Sequence, residues 1–304
     1  MHPDNMNLVF ETVYGSTAFN LDRVGSDLDI RGIVVGPRSW YHGFAAAPEQ
    51  IEHNADHVHF EIRKFFRLAV AANPTMLEIL WSAPESHRHV SPVGRRLLES
   101  RSLFLSRRVA DTFAGYARSQ LARIHTHRQW LLEPPARPPT RTDFGLPDGA
   151  AMNADQRRAA EAVMAREGWE LSTNFLDLLT RERRFEAART HHEQYLHWQK
   201  TRNPARAALE KRYGYDTKHA MHLVRLQRMA VEVLVAGELR VRRDDRDELL
   251  AIRDGAWSFD ELMAQCELLA AEIRDARESS DLPIHPDEDV LSDLCCELVE
   301  QAWK

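Results

Sequence analysis

The sequence is poor in cysteine and lysine, and it has no long hydrophobic run. Its three cysteines, Cys266, Cys295 and Cys296, do not have the spacing of a zinc-binding motif, so we expect helical thiols in a reducing compartment. No apolar segment reaches the roughly 18–20 residues that a membrane-spanning helix needs. The first residues lack the basic and apolar regions of a secretory signal. These absences predict a cytoplasmic protein with no membrane partner.

An excess of positive charge is also missing. The 304 residues include 40 Lys and Arg against 46 Asp and Glu, which gives a net charge of −6. This balance argues against a long electrostatic interface with nucleic acid, although it is compatible with a local basic patch. The hydrophobic content of 43% and the charged content of 28% are ordinary for a globular chain. The length predicts about two domains.

The first 85 residues combine strand and helix patterns. Three segments rich in β-branched, aromatic or alternating residues predict strands, at Leu8–Tyr14, Asp27–Val35 and His57–Arg63. A helical pattern follows from Lys64 to Ala72. Asn73 and Pro74 then have the form of an N-cap followed by proline at the first helical position.

Helical patterns dominate from residue 86 onward. They cover Ser106–Leu132, Asp155–Lys200 and Asp216–Gly237, and a proline-rich loop is expected over 133–149. The sequence therefore predicts an α+β fold. A small mixed-sheet module in residues 1–85 is followed by a larger all-helical region in residues 86–304.

The residues that point to chemistry lie in two short motifs. Gly15 and Ser16 follow the first predicted strand, and Asp27 and Asp29 lie within the second. Carboxylates at positions i and i+2 of a strand share one face, where they repel each other unless a cation lies between them. Mg²⁺ prefers oxygen ligands of this kind. A Gly-Ser turn offers backbone N–H groups and a hydroxyl to a phosphate.

These motifs resemble the signature of the DNA polymerase beta-type nucleotidyltransferase superfamily. YGSTAFNLDRVGSDLDIRGIVV, RKFFRLAVAANPTMLEILW, YDTKHAMHLVRLQRM and AIRDGAWSFDEL are similar to one branch of it, a set of predicted nucleotidyltransferases associated with RNA repair. The resemblance implies Mg²⁺- or Mn²⁺-dependent transfer of a nucleoside monophosphate from an NTP to a hydroxyl, with release of pyrophosphate. Gly15 and Ser16 would then hold the triphosphate, and Asp27 and Asp29 would bind metal. The acceptor could be an RNA end, a protein or a small molecule.

The superfamily usually adds a third carboxylate from a neighbouring strand. Along His57–Arg63 the side chains of His57, His59 and Glu61 share one face. If the apolar face meets the helices, Glu61 lies on the side of the two aspartates. We therefore expect Glu61 to be the third metal ligand and a possible base. Asp56, on the apolar phase, is the alternative ligand.

Positively charged residues could contact the triphosphate at two places. Arg31 follows in phase with Asp27 and Asp29, and either a phosphate contact or an ion pair with the aspartates is consistent with its position. Lys218, His222 and Arg225 fall on one face of a predicted helix. We expect this helix to pack across the module with the three side chains towards the nucleotide. The alternatives are an exposed basic face and internal salt bridges.

A second function remains open at this point. The third carboxylate is uncertain from the sequence, so a catalytically inactive nucleotide-binding or partner-binding protein on the same fold is the alternative to an enzyme. Metal-dependent release of pyrophosphate distinguishes the two.

Overall fold

The computed structural model of the protein describes residues 6–44, 47–149 and 173–304, together with 155, 156, 158, 159 and 162. Contacts group the chain into two compact units. The first contains Met1–His125 and Tyr215–Lys304, and the second contains Thr126–Gly214. The first unit is therefore built from two separate stretches of chain. A functional boundary at residue 85 stays a prediction.

The first unit contains a five-stranded mixed sheet. Its strands are β1 (Asn7–Tyr14), β2 (Asp29–Val35), β3 (Gln50–Asn54), β4 (His57–Glu61) and β5 (His87–Val90). The spatial order is β3-β4-β2-β1-β5. The β2–β4 pair is parallel, and the other pairs are antiparallel. The predicted α+β class is confirmed, and β3 and β5 are strands that the sequence patterns did not indicate.

Helices follow and flank this sheet. In the first unit they are α1 (Gly15–Ala18), α2 (Ser39–His42), α3 (Ile62–Val70), α4 (Pro74–Leu80), α5 (Pro92–Glu99), the beginning of α6 (Arg108–Leu132), α9 (Thr217–Ala236), α10 (Arg246–Arg253), α11 (Phe259–Ser279) and α12 (Glu288–Ala302). The end of α6, α7 (Thr173–Thr201) and α8 (Pro204–Tyr213) lie in the second unit. The helix predicted over Asp155–Lys200 is thus confirmed over its last part, and residues 163–172 of that prediction lie outside the described residues.

The second unit has its own aromatic and charged contacts. Trp130 Nε1 donates a hydrogen bond to His191 Nε2 at 2.9 Å, and the Trp130 ring lies 5.8 Å from that of Tyr195. Arg202 Nε donates to the buried carboxylate of Glu210 at 2.7 Å. The loop over 133–149 contains the 3-10 turn Arg141–Phe144.

Local sequence signals explain where the helices of the first unit begin and end. The Asn73 side chain accepts from Met76 N with Pro74 at the start of α4. Asp216 caps α9 by accepting from His219 N at 3.0 Å. That helix ends at Gly237, whose φ of 63° is left-handed.

The two faces of the sheet differ in what covers them. Phe10 pairs with Ile33, and Ile33 pairs with Phe60, so these three side chains lie on one face and contribute to the main core. We call this the core face. Residues one step along each strand, such as Glu11 and His59, lie on the opposite face.

Candidate active site

The turn after β1 lies directly against the start of β2. Tyr14 pairs with Asp29, and the next residue, Gly15, has a φ of +67°. A Cβ atom on Gly15 would lie 2.2 Å from Asp29 Oδ2, so only glycine permits this approach. Ser16 is partly buried, and its carbonyl accepts from Leu21 N at 2.8 Å. A contact between the Ser16 hydroxyl and a triphosphate stays a prediction.

Asp29 is the centre of a cluster of charges. Burial raises the pKa of its carboxyl group, and the Arg31 guanidinium opposes this rise. The carboxylates of Asp56 and Asp27 raise the Asp29 pKa further, whereas the ammonium group of Lys218 lowers it. Three carboxylates and two cations thus act on one point. The three carboxylates outnumber the two cations, and this excess of negative charge is compatible with a bound cation.

The structure differs from the sequence prediction in the position of Asp27. The strand begins at Asp29, and Asp27 lies in the exposed segment just before it. The charge of Asp27 nevertheless raises the pKa of the Asp29 carboxyl group from this position. The motif is therefore assembled at the entry to β2 rather than along it.

The prediction of Glu61 as the third carboxylate is wrong. In the parallel β2–β4 pair, Arg31 lies beside Val58 and Val34 lies beside Glu61. Neighbouring partners in a sheet share a face, so Glu61 lies on the face of Val34, whereas Asp29 lies on that of Arg31 and Ile33. The error was in assigning Asp29 to the face opposite the core, since β2 carries Asp29 in phase with its core residue Ile33.

Glu61 has a different role. Its side chain is the N-cap of α3 and accepts from the backbone N–H groups of Arg63 and Lys64 at 3.0 and 3.2 Å. It also accepts from the Tyr41 hydroxyl at 2.8 Å and from Arg63 Nε at 3.1 Å. With only 3% of its surface exposed, Glu61 is a buried capping residue.

Asp56, the alternative third carboxylate, lies on the same face of the sheet as Asp29. It precedes β4 and is exposed, and its backbone is fixed to the start of β2 because Ile30 N donates to Asp56 O at 2.7 Å. His57 pairs with Ile30, and Asp56 and Asp29 each precede these residues by one position. Asp56 is therefore in phase with Asp29. The core-face phase and the effect on the Asp29 pKa both favour Asp56 as the third carboxylate.

Arg31 holds the first residues of β2 in place. Its Nη1 donates to the carbonyls of Ile30 and Asp56, each at 2.8 Å, and its Nη2 lies 3.4 Å from Asp29 Oδ1. The sequence allowed either a phosphate contact or an ion pair for Arg31, and the structure contains the ion pair with Asp29. A contact of Arg31 with phosphate stays a prediction.

The three basic residues of α9 do not act together. Lys218 lies close enough to Asp29 to lower its pKa, as expected for a side chain that faces the module. Arg225, in contrast, is 5% exposed, lies 2.8 Å from Glu78 and stacks 3.5 Å above the Phe19 ring. The prediction that Arg225 binds nucleotide is therefore wrong, because its charge is already neutralised inside the core. His222 is partly buried, and its role stays a prediction.

Comparison with known proteins supports the identity of this module. Residues 2–132 match the model of a family described as the RNA repair pathway DNA polymerase beta family. The resemblance of the sequence motifs to this branch is thereby confirmed over that segment, which is somewhat less than half of the chain. A polymerase beta-type domain indicates activity of the nucleotidyltransferase type. No curated protein and no solved structure matches the chain. Among the described residues, no helix is both long and apolar enough to cross a bilayer.

Proposed function

We propose that the protein is a metal-dependent nucleotidyltransferase that moves a nucleoside monophosphate from an NTP to a hydroxyl acceptor and releases pyrophosphate. The observation that carries this proposal is the cluster around Asp29. There the carboxylates of Asp27 and Asp56 raise the Asp29 pKa, and the glycine turn of β1 lies against the same carboxyl group. The family match over residues 2–132 agrees with it.

The chemistry of the cluster fits Mg²⁺ or Mn²⁺. Its donors, on Asp27, Asp29 and Asp56, are all carboxylate oxygens, which are the ligands that hard divalent cations prefer. When bound, such a cation would neutralise charge on the triphosphate and on the leaving pyrophosphate.

The residues of the chain itself would position the reactants. The backbone of Gly15 and Ser16 would face the phosphates, and Lys218 would offset the triphosphate charge that remains. The acceptor oxygen attacks the α-phosphorus as the bond from that phosphorus to the bridging oxygen breaks. The hydroxyl proton would pass to a carboxylate of the cluster, for which the exposed Asp56 is the candidate.

The test measures pyrophosphate and the labelled product together. The full chain is incubated with each NTP labelled at the α-phosphate, with Mg²⁺ or Mn²⁺, and with a short RNA, a protein or a small alcohol as acceptor. We expect pyrophosphate release by the wild type and its loss in Asp29→Asn and Asp56→Asn. Asp22→Asn, which changes an exposed aspartate outside the cluster, is the matched control.

A second outcome identifies the alternative function. Tight binding of an NTP by calorimetry, without pyrophosphate release under any of these conditions, would show that the chain is an inactive nucleotide-binding protein. Equal activity in Asp29→Asn and wild type would refute the assignment of the site.

A further inference from the structure

Three histidines meet on the face of the sheet opposite the core face. His53 extends from β3, and His57 and His59 extend from β4. One ligand atom from each ring lies within 4.8 Å of the corresponding atoms of the other two. His57 Nε2 lies 3.0 Å from His59 Nε2, and His53 Nε2 lies 3.2 Å from His59 Nδ1. Polar nitrogens from two strands thus converge on one small volume.

A carboxylate from a third strand reaches the same volume because β2 leaves a gap. Glu11 on β1 pairs with Gly32 on β2, and Gly32 pairs with His59 on β4. A Cβ atom on Gly32 would lie 2.6 Å from the His59 ring, so the imidazole occupies the space that a side chain would fill. Across this gap, Glu11 Oε2 lies 3.4 Å from His57 Nε2 and 3.9 Å from His59 Nε2.

We propose that His57, His59 and Glu11, with His53 as a fourth group, form a binding site for a divalent transition metal such as Zn²⁺. This site is separate from the carboxylates around Asp29, which lie on the other face of the sheet. The proposal does not depend on nucleotidyl transfer.

The distances suit a tetrahedral zinc centre. Zinc bonds of about 2.0–2.1 Å to nitrogen or oxygen place tetrahedral ligand atoms about 3.3–3.4 Å apart. The three separations among His57 Nε2, His59 Nε2 and Glu11 Oε2 are 3.0, 3.4 and 3.9 Å. Their spread lies on both sides of the tetrahedral value, so small side-chain rotations would complete the set. The His53 ring is exposed on β3, and it can rotate to become the fourth ligand or leave that position to water.

The donor set also distinguishes this site from the Asp29 cluster. Imidazole nitrogens favour zinc and its neighbours in the first transition row, whereas Mg²⁺ prefers oxygen alone. The Glu11 carboxylate would offset part of the metal charge.

A metal at this site would connect the β3–β4 hairpin to β1, from which it is separated in the sheet by β2. β1, β3 and β4 would share one ion across β2, which itself contributes only the space above Gly32. We therefore expect zinc to raise the midpoint of thermal unfolding of the chain, because an ion that binds only the folded state stabilises it.

The experiment uses the full chain after treatment with a chelator and dialysis. Zinc is titrated against a chromophoric competitor, and Co²⁺ is added separately to record the visible bands of a tetrahedral site. We expect one zinc per chain, tetrahedral cobalt bands and a zinc-dependent rise in the thermal midpoint. His57→Gln should weaken zinc binding by at least about 100-fold, the upper end of the loss seen when only a supporting group is removed.

Matched variants show whether zinc binds at this site or elsewhere on the chain. His285→Gln, which removes an exposed histidine elsewhere, and Asp29→Asn should keep the wild-type zinc affinity. Gly32→Ala should weaken it, because the added methyl group displaces His59. Circular dichroism checks that each variant is folded, and His57→Gln changes a side chain that is already 27% exposed.

Three results would overturn the proposal. In the first, His57→Gln binds zinc as tightly as the wild type does. In the second, Asp29→Asn loses the zinc site while His57→Gln keeps it. In the third, the wild-type chain binds less than one zinc.

Discussion

Glu61→Gln removes one negative charge from a side chain that is 3% exposed and accepts four hydrogen bonds. The glutamine oxygen can still accept from the backbone N–H groups of Arg63 and Lys64, but those bonds lose their charge. A bond to a charged group contributes about 1.5–3 kcal/mol and a neutral one about 0.5–1.5, so the two backbone bonds of the cap together lose about 2–3 kcal/mol.

The bonds to the other carboxylate oxygen of Glu61 add a smaller loss of stability. The glutamine amide would face Tyr41 and Arg63 Nε, which donate to that oxygen at 2.8 and 3.1 Å. The Tyr41 hydroxyl can rotate to accept, and the ion pair with the 39%-exposed Arg63 contributes only about 0–1 kcal/mol. The total of about 2–4 kcal/mol corresponds to a fall of roughly 4–16 °C in the unfolding midpoint, at about 2–4 °C per kcal/mol.

The effects of Glu61→Gln on stability and turnover are compared with those of Asp56→Asn. Asp56 is exposed, so its substitution should change stability by no more than about 0.5 kcal/mol. Turnover should nevertheless fall by about 100-fold or more, the usual loss when one electrostatic group of an active site is removed. Below its unfolding midpoint, Glu61→Gln should keep most of its turnover.

Thermal unfolding by circular dichroism and pyrophosphate release at saturating NTP measure the two effects separately. Glu85→Gln, at an exposed glutamate, is the control for the loss of a charge. If Glu61→Gln keeps the wild-type midpoint but loses turnover as severely as Asp56→Asn, the assignment of the two residues to opposite faces of the sheet is wrong.

Three further substitutions test the remaining contacts. Gly15→Ala should cost about 1–3 kcal/mol from the left-handed backbone and should abolish NTP binding by displacing the Asp29 carboxylate, and an unchanged NTP affinity would contradict the close approach. Lys218→Ala should raise the KM for NTP more at low than at high ionic strength, and a loss independent of salt would argue against a charge effect. Arg225→Met should lower the free energy of unfolding in urea by about 3–5 kcal/mol, because it leaves the buried Glu78 carboxylate without its charged partner, although Tyr14 still donates a hydrogen bond to it. NTP affinity measured on the folded Arg225→Met variant should stay at the wild-type value, and a selective loss of affinity would return Arg225 to the nucleotide site.

Local signals in the sequence were sufficient for several elements. The helix α9 begins directly after Asp216 and ends directly before Gly237, as the N-cap and C-cap chemistry of these residues predicts. The capping box of Ser258 and Glu261 begins α11. In these cases the residues that determine the structure lie within a few positions of one another, so a single sequence contains the information.

The wrong predictions concern pairs that are distant in the chain. The face of the sheet on which Glu61 lies depends on the parallel pairing of β4 with β2. The alternation of side chains within β4 does not show which of its two faces meets the core. Arg225 does lie on the face of α9 that meets the module, but its partner Glu78 is 147 residues away. No local pattern indicates which acidic residue will be buried beside it.

The histidine cluster was only partly visible in the sequence. The i and i+2 spacing of His57 and His59 placed both on one strand face. His53 lies on β3, a short polar strand with no hydrophobic alternation, and Glu11 lies two strands away. The spacing within HNADHVH was therefore a usable signal, but the contribution of Glu11 required the register of three strands.

The first unit is closed by residues from the far end of the chain. Trp303 Nε1 donates to Gly36 O at 2.9 Å, and Arg107 N donates to Pro283 O at 2.8 Å. A ribosome that adds about 5–20 residues per second needs roughly 10–35 seconds to pass from His125 to the end of this sequence. During the first part of that interval the sheet lacks both α9 and α12, and α12 is the last of these helices to be made, so apolar side chains that they later cover face water. The module at the start of the sequence is therefore complete only after α12 has been made, and until then its exposed apolar side chains are prone to aggregation.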